Sequence, residues 1–423
     1  MLKRIEIENY KSLHKVGIDL PDFSVMVGPN AAGKTNFANA IDFISSVARN
    51  GLPTAVNDYG GYENICFRRA RRARGAIQFF LNVGNIAITY AGKEIEFQYE
   101  YKFAFKAVER TISSEYQITK EFLRVRFRNR SRNKNWYELI IYDHTPPKEV
   151  SVIVNNEIEN KFLVPPEDFL KRVFKKEKPD LTSYNLILAS KLRGLPPFMF
   201  LIHFLENLRV FQIMPSSASR AASASGTQEM DKNGGNLPAA LHFLQRENKK
   251  QFINLLEQLK LAVPTVEKIE TDYVETRQLG LFLSERGMSR RMYASELSDG
   301  TLRTIALFVP LIDKRYAFIV IEEPENCIHP WVTRQFVNAC REQSNSKQII
   351  LTTHSPVLVS QLKPDELFLV DRYDGQTRIQ RAIEVDNNVE EIIRQGITDL
   401  GRYWDSGAMR AVPVQLPLFE DEK

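Results

Sequence analysis

Apolar and polar residues alternate through residues 2–10 (LKRIEIENY), the two-residue period of a half-buried strand. A turn at Lys11-Ser12-Leu13 leads to residues 16–20, which read as its hairpin partner. Phe23-Ser24-Val25-Met26-Val27 is instead nearly apolar throughout, as a strand covered on both faces would be. Apolar residues then recur at helical spacing through 36–44 and fade near Gly51. Between residues 76 and 155 the pattern returns to β. Six stretches (77–81, 86–88, 95–99, 116–127, 136–142 and 150–154) read as strands of one antiparallel sheet. Residues 165–208 read mostly helical, with Pro165-Pro166 as a start and Pro196-Pro197 as a break. Residues 215–235 are small, polar and aperiodic, and are expected to form a mobile loop. Helix returns at 236–261 and strand at 269–282, and Ser295 or Ser298 can cap a helix over 301–312. Two further apolar strands are expected at 317–321 and 348–352. A hairpin is expected at 367–370 and 377–380, turning at 371–375. No long heptad pattern predicts a coiled-coil arm.

Composition narrows the class. With 43% hydrophobic and 26% charged residues the chain reads as an ordinary globular protein. No apolar run approaches the ~20 residues needed to cross a bilayer. Lys3, Arg4 and Glu6 leave no room for a secretory leader core. Cys66, Cys327 and Cys340 form no C-x-x-C pair, so neither a disulfide framework nor a zinc site is expected. These features predict a cytoplasmic protein without a membrane partner. The net charge of +5 is uneven. One basic run holds Arg68, Arg69, Arg71, Arg72 and Arg74; a second holds Arg124, Arg126, Arg128, Arg130, Arg132 and Lys134 at alternating positions. Val125 and Phe127 interleave with the second, so a strand there would carry guanidinium groups on one face and apolar groups on the other. Either run can be a solvated face or a surface for nucleic acid or an acidic partner.

The chemistry centres on Gly28-Pro29-Asn30-Ala31-Ala32-Gly33-Lys34-Thr35, which fits G-x-x-x-x-G-K-[ST] between a strand and a helix and is followed by Asn36. Its glycines let backbone N–H groups converge on phosphate oxygens at a helix N-terminus. Lys34 is expected to reach the β- and γ-phosphates of ATP, and the Thr35 hydroxyl to ligate Mg²⁺. Three later stretches extend the site. Ala317–Ile321 in number order, AFIVI, is an apolar strand ending in Glu322 and Glu323, carboxylates suited to holding Mg²⁺ and to orienting or deprotonating a water. Leu297-Ser298-Asp299-Gly300 opens the helix expected over 301–312, whose N-terminus can grip an anion. The strand at 348–353 ends in His354, placed to reach a γ-phosphate.

In this order the four stretches resemble the ABC-type ATPase heads of the SMC/RecF/OLD group, and within it the stand-alone AAA family ATPases of the OLD-like branch. The opening MLKRIEIENYKSL is similar to that group's first strand. Glu322-Glu323-Pro324-Glu325 with Ile328-His329-Pro330 is similar to its E-E-P-E-x-x-[LI]-H-P stretch, and Thr353-His354-Ser355-Pro356 to its T-H-S-P switch. Residues 233–238 and Gly401-x-x-Trp404-x-x-Gly407 are weaker echoes. The signature reads L-S-D-G-T rather than L-S-G-G-Q, and Pro324-Glu325-Asn326 replaces the usual S-A-L-D.

The resemblance implies an α/β ABC-type head, a mixed sheet flanked by helices, with an inserted β-rich region and a helical lobe. On that pattern residues 1–75 and 263–380 form the two parts of the head, 76–160 an antiparallel subdomain, 161–262 a helical lobe, and 381–423 a C-terminal helix and tail. It also implies a homodimer or higher homo-oligomer in which ATP on Lys34 is completed by Leu297, Ser298, Asp299 and Gly300 of the other subunit. Catalysis would rest on Lys34, Glu323 and His354, with Mg²⁺ on Thr35 and Glu322. Relatives called OLD carry a TOPRIM-type nuclease, and no D-x-D with room for one follows His354 here. The expected function is therefore an ATPase switch that controls a separately encoded effector, a nuclease or toxin, in antiphage defence. The alternative is a RecF-like clamp on DNA, using the arginine runs as contacts.

Overall fold

The computed structural model describes residues 1–68, 75–90, 93–107, 116–129, 135–145, 151–154, 196–226 and 228–412. Its centre is a six-stranded sheet in the order β17-β16-β3-β15-β14-β9. The strands are β3 (Phe23–Val27), β9 (Leu208–Phe211), β14 (Phe318–Glu322), β15 (Gln348–Thr353), β16 (Leu367–Tyr373) and β17 (Gln376–Arg381). All pairings are parallel except β16 with β17, which is the hairpin expected around Asp374-Gly375. Every residue of β3, β14 and β15 is buried, which is why these segments read as largely apolar runs.

The two faces of this sheet belong to different cores. On one, Met26, Phe318, Val320 and Ile350 pack with Phe37, Ile41 and Ile44 of helix α1 (Lys34–Asn50) and with Leu201 and Leu205 of α2 (Pro196–Glu206). On the other, Val25, Val27, Ile319, Ile321 and Leu351 pack against further long helices. These are α3 (Leu237–Glu247), α4 (Lys249–Ala262), α5 (Asp299–Ile312) and α6 (Pro330–Gln343).

A seven-stranded antiparallel sheet covers the outer side of α1, in the order β2-β1-β4-β5-β6-β7-β8. It consists of β1 (Leu2–Tyr10), β2 (Leu13–Asp19), β4 (Ile77–Tyr90), β5 (Lys93–Ala107), β6 (Tyr116–Asn129), β7 (Tyr137–His144) and β8 (Ser151–Val154). Its inner face is aromatic: Phe79, Phe103 and Phe105 stack around Phe43 of α1. The β region expected as a subdomain of its own is thus continuous with the first hairpin, through Ile5↔Leu81 and Glu8↔Gln78. A third sheet joins β10 (Ala222–Ser223), β11 (Val266–Glu275), β12 (Gln278–Glu285) and β13 (Met292–Tyr293).

Three local expectations change. The span read as a helical lobe contributes β9 to the central sheet, where Leu208 to Phe211 pair with Phe318 to Ile321. The strand expected at 269–282 is a hairpin, because the chain reverses at Arg277, which takes the left-handed φ of 63° without a glycine. Within 215–235 there is a short helix, Pro215–Ala218, and the β10 pairing; Ala218 and Met230 are buried in the core. Of the span 165–208, where helix was expected, residues 165–195 lie outside the described residues and Pro196–Glu206 is helical. No helix among the described residues is long and apolar enough to cross a membrane.

Candidate functional site

Parallel register brings the motifs to one edge. Val27 pairs with Thr353 and Thr352 with Glu322, so β3, β14 and β15 end level with each other. The residues that follow, Gly28, Glu323 and His354, therefore emerge side by side at the carboxyl ends of the strands, where open α/β sheets receive ligands.

The glycine loop is wedged by its neighbours. A Cβ on Gly28 would overlap the carbonyl of Val370, and one on Gly33 would overlap the side chain of Thr377. Gly33 also takes φ 114°, and Ala31 the left-handed φ of 61°. Gly33 is the N-cap of α1 and no side chain caps that end, leaving the first-turn N–H groups for an anion. Lys34 is buried and donates to the carbonyls of Gly28 at 2.6 Å and Pro29 at 3.0 Å, curled over its own loop. Burial lowers its pKa, and the charges of Glu323, Glu325 and Glu322 pull the other way.

Glu322 is buried at the end of β14, and burial pushes its carboxyl above the usual range; the hydrogen-bonding hydroxyl of Thr35 opposes that shift. A hydroxyl and a carboxylate side by side are hard oxygen donors, the set Mg²⁺ takes together with substrate phosphates. The residues fit that ion and nucleotide phosphate.

Glu323 has the left-handed φ of 46°, a conformation costly for a residue with a Cβ. Three contacts hold it. Its N–H donates to Thr352 O at 2.9 Å, its carbonyl accepts from Arg303 Nη2 at 2.7 Å, and its Oε2 accepts from Asn326 Nδ2 at 2.7 Å. Its Oε1 lies 3.4 Å from His354 Nδ1. Both side chains are partly exposed, so the pair can meet a substrate from solvent.

Ser298 caps α5, with its Oγ accepting from the Thr301 N–H at 3.1 Å. Gly300 lies under Cys327, whose carbonyl would sit 2.7 Å from a Cβ there. Ser298 and Asp299 are exposed, and no hydrogen bond or ion pair among the described residues joins 297–300 to the Gly28–Asn36 loop in number order 28–36. The His329-Pro330 pair has a structural job: the His329 ring accepts from the Trp331 N–H at 3.1 Å and Pro330 opens α6.

The arginine row has the expected facing, with Val125 and Phe127 buried in the core on the opposite face of the strand. Among its described members, Arg124, Arg126 and Arg128, the charge is paired. Arg124 and Arg126 both pair with Glu100 of the neighbouring strand, and Arg128 pairs with Glu96 at 2.6 Å and stacks over Trp136. Arg68 pairs with Glu63 at 3.5 Å. Arg69, Arg71, Arg72 and Arg74 of the first run and Arg130, Arg132 and Lys134 of the second lie outside the described residues.

Several residues around the site carried no signal in the sequence. Thr377 Oγ1 donates to Ala32 O at 2.8 Å and sits 2.7 Å from Ser12 Oγ, which in turn accepts from Asn36 Nδ2 at 2.7 Å. Beside them opens a cavity of about 300 Å³ lined by Lys11, Ser12, Asn36, Phe67, Arg68 and Arg372 among others. Lys232 reaches Asp42 of α1 at 2.9 Å. Arg303 and Glu325 were legible only as members of longer motifs.

A family profile described as AAA ATPase domain matches residues 1–359. Over 44 residues, 10% of the chain, it is 46% identical to the chromosome partition protein Smc of Methanocaldococcus jannaschii and 41% identical to the OLD nuclease of Thermus scotoductus. Those matches span 4% and 8% of the two relatives' own lengths. Among solved structures, the Smc head domain with an extended coiled coil from Pyrococcus furiosus, bound to the C-terminal domain of ScpA, is 14% identical with a TM-score of 0.46, over 93% of this chain and 99% of that one. The SMC head domain from Thermotoga maritima is 13% identical with a TM-score of 0.40, over 90% and 98%.

Proposed function

The chain belongs to the AAA ATPase domain family, and from that premise we propose that it is an ATP-hydrolysing switch that dimerises around two nucleotides and controls a separate effector protein. The observation that carries the reading is the level ending of β3, β14 and β15, which gathers Lys34, Glu322, Glu323 and His354 at one edge.

Lys34 leaves the carbonyls of Gly28 and Pro29 for the β- and γ-phosphates, exchanging two neutral acceptors for charged ones. The first-turn N–H groups of α1 hold the phosphate oxygens. Thr35 and Glu322 would hold Mg²⁺, which when bound would offset charge on the β- and γ-phosphates. Glu323 orients the attacking water and accepts its proton as the new oxygen–phosphorus bond forms and the β–γ bridging bond breaks. His354, facing Glu323, donates to a γ-phosphate oxygen. The cavity beside Asn36 takes the nucleoside end. Ser298 and Gly300 of the second subunit complete the site, so loss of the γ-phosphate loosens the dimer.

The effector, a nuclease in this reading, and the role in antiphage defence rest on the likeness of the E-E-P-E and T-H-S-P stretches to the OLD-like branch. The DNA-clamp reading has less to draw on, since Arg124, Arg126 and Arg128 spend their charge on Glu100 and Glu96.

The test uses a trapped variant. Glu323→Gln should bind ATP and Mg²⁺, hydrolyse at least about a hundredfold more slowly than the unmodified protein, and run as a dimer by light scattering. Lys34→Ala should bind no ATP and stay monomeric. Purified with ATP from its native genetic setting, tagged Glu323→Gln should bring a stoichiometric second protein. Hydrolysis at the normal rate by Glu323→Gln would remove the catalytic assignment. Nucleic acid without a protein partner would favour the clamp.

A further inference from the structure

The third carboxylate of the E-E-P-E stretch has no part in the steps above, yet it is built into the same edge. Glu325 Oε1 accepts a hydrogen bond from the Thr353 hydroxyl, and the backbone N–H of His354 is close enough to favour its ionised form. Thr353 Oγ1 in turn accepts from the Ser355 N–H at 2.9 Å. One carboxylate thereby grips two successive residues of the switch and, through the Thr353 hydroxyl, a third. The second grip between the two strand ends is the bond from Glu323 N–H to Thr352 O. Together they leave His354 Nδ1 3.4 Å from Glu323 Oε1.

Glu325 is buried enough that desolvation raises its pKa, and its Oε2 has no hydrogen-bond partner among the described residues. A surface carboxylate serving only solubility would keep both oxygens in water. Placing this one under the switch has a cost, and the geometry shows what offsets it: Thr353 is fully buried and supplies a directed donor.

We propose that Glu325 is a positioning residue for hydrolysis, whose carboxylate fixes the end of β15 so that the His354 imidazole stands opposite the Glu323 carboxylate. The proposal rests on the ATPase reading of the site. Glu325 touches neither water nor phosphate in this account; it acts through Thr353 and His354. Nucleotide binding is carried by the glycine loop and Lys34, on which Glu325 acts only through its charge, whereas the chemical step depends on the contacts Glu325 makes with the end of β15.

The experiment is steady-state ATP hydrolysis by five proteins: unmodified, Glu325→Ala, Glu325→Gln, Thr353→Val and the double variant Glu325→Ala/Thr353→Val. Glu325→Ala should lower kcat about ten- to a hundredfold, the penalty of roughly 1 Å misplacement, with KM for ATP changed less than about threefold. Glu325→Gln keeps an oxygen that accepts from Thr353 and should recover to within about threefold of the unmodified protein. Thr353→Val, which keeps the shape and loses the donor, should match Glu325→Ala, and the double variant should be no worse than either single one. Should Glu325→Ala fail to fold, Thr353→Val carries the test alone. Normal kcat in Glu325→Ala or in Thr353→Val, additive losses in the double variant, a Gln variant as impaired as Ala, or loss of ATP binding would each overturn the proposal. An unmodified protein that hydrolyses no ATP would instead remove the ATPase reading beneath it.

Discussion

At Gly33 two constraints coincide on one atom that is missing. The backbone sits at φ 114°, and the space where a Cβ would go holds the Thr377 side chain, itself fixed by bonds to Ala32 O and Ser12. Gly33→Ala must therefore either rotate the loop or push β17 away. Strain of about 1–3 kcal/mol at such a position should appear as a roughly tenfold or greater loss of ATP affinity by calorimetry, with the far-ultraviolet spectrum unchanged. Unaltered affinity in Gly33→Ala would show that loop backbone geometry does not set phosphate binding. The glycine position was legible because the motif marks it. Its reason was not, because Thr377 is brought there by sheet pairing and leaves no local trace in sequence. The arginine row has the same lesson in reverse. Alternation correctly put Arg124, Arg126 and Arg128 on one face, yet their pairing with Glu96 and Glu100 depends on the β5–β6 register, which side-chain alternation alone does not reveal.

Among the elements, α5 links what the site separates. Its N-terminus carries Ser298, and five residues on Arg303 donates to Ile213 O at 2.6 Å and to Glu323 O at 2.7 Å. A planar guanidinium can serve two carbonyls at once, and an ammonium on a shorter reach serves them poorly. Arg303→Lys should therefore keep ATP affinity within about threefold while slowing single-turnover hydrolysis about tenfold or more. Hydrolysis at the unmodified rate in Arg303→Lys would show that α5 does not hold Glu323 in place. Legibility at this scale follows burial. The strands β3, β14 and β15 were read within a residue or so, since two buried faces require continuous apolar sequence. The β9 strand was missed because four residues, Leu208–Phe211, also continue a helical apolar pattern after α2. The β11–β12 reversal was missed because Arg277 does the work usually left to glycine or asparagine. How the outer sheet docks was equally hidden: the Gln348 amide bridges Leu2, with both its N–H and its carbonyl at 2.9 Å, and also reaches Pro21 O.

For the whole molecule, the decisive question is whether one chain contains a complete site. The loop at 28–36 and the signature at 297–300 share no hydrogen bond or ion pair among the described residues, and Ser298 and Asp299 are left exposed. A twofold dimer that sets each signature against the other subunit's loop would complete two sites by one contact surface. That arrangement makes a prediction that a self-contained site does not. Lys34→Ala removes a subunit's own nucleotide grip, and Ser298→Arg blocks the signature it offers its partner. Each variant alone should be inactive. In a mixed dimer one site contains both lesions and the other contains neither. Neither variant alone can dimerise around nucleotide, so the dimers that form in a mixture are mixed ones with one of two sites intact, and up to about half of the unmodified activity should return at equal amounts. The measurement is ATP turnover across a titration of one variant into the other at constant total protein. Activity that peaks at equal amounts supports sites shared between subunits. Mixtures that remain inactive while mixed dimers are present by mass spectrometry, or Ser298→Arg at full activity alone, would place the complete site within a single chain.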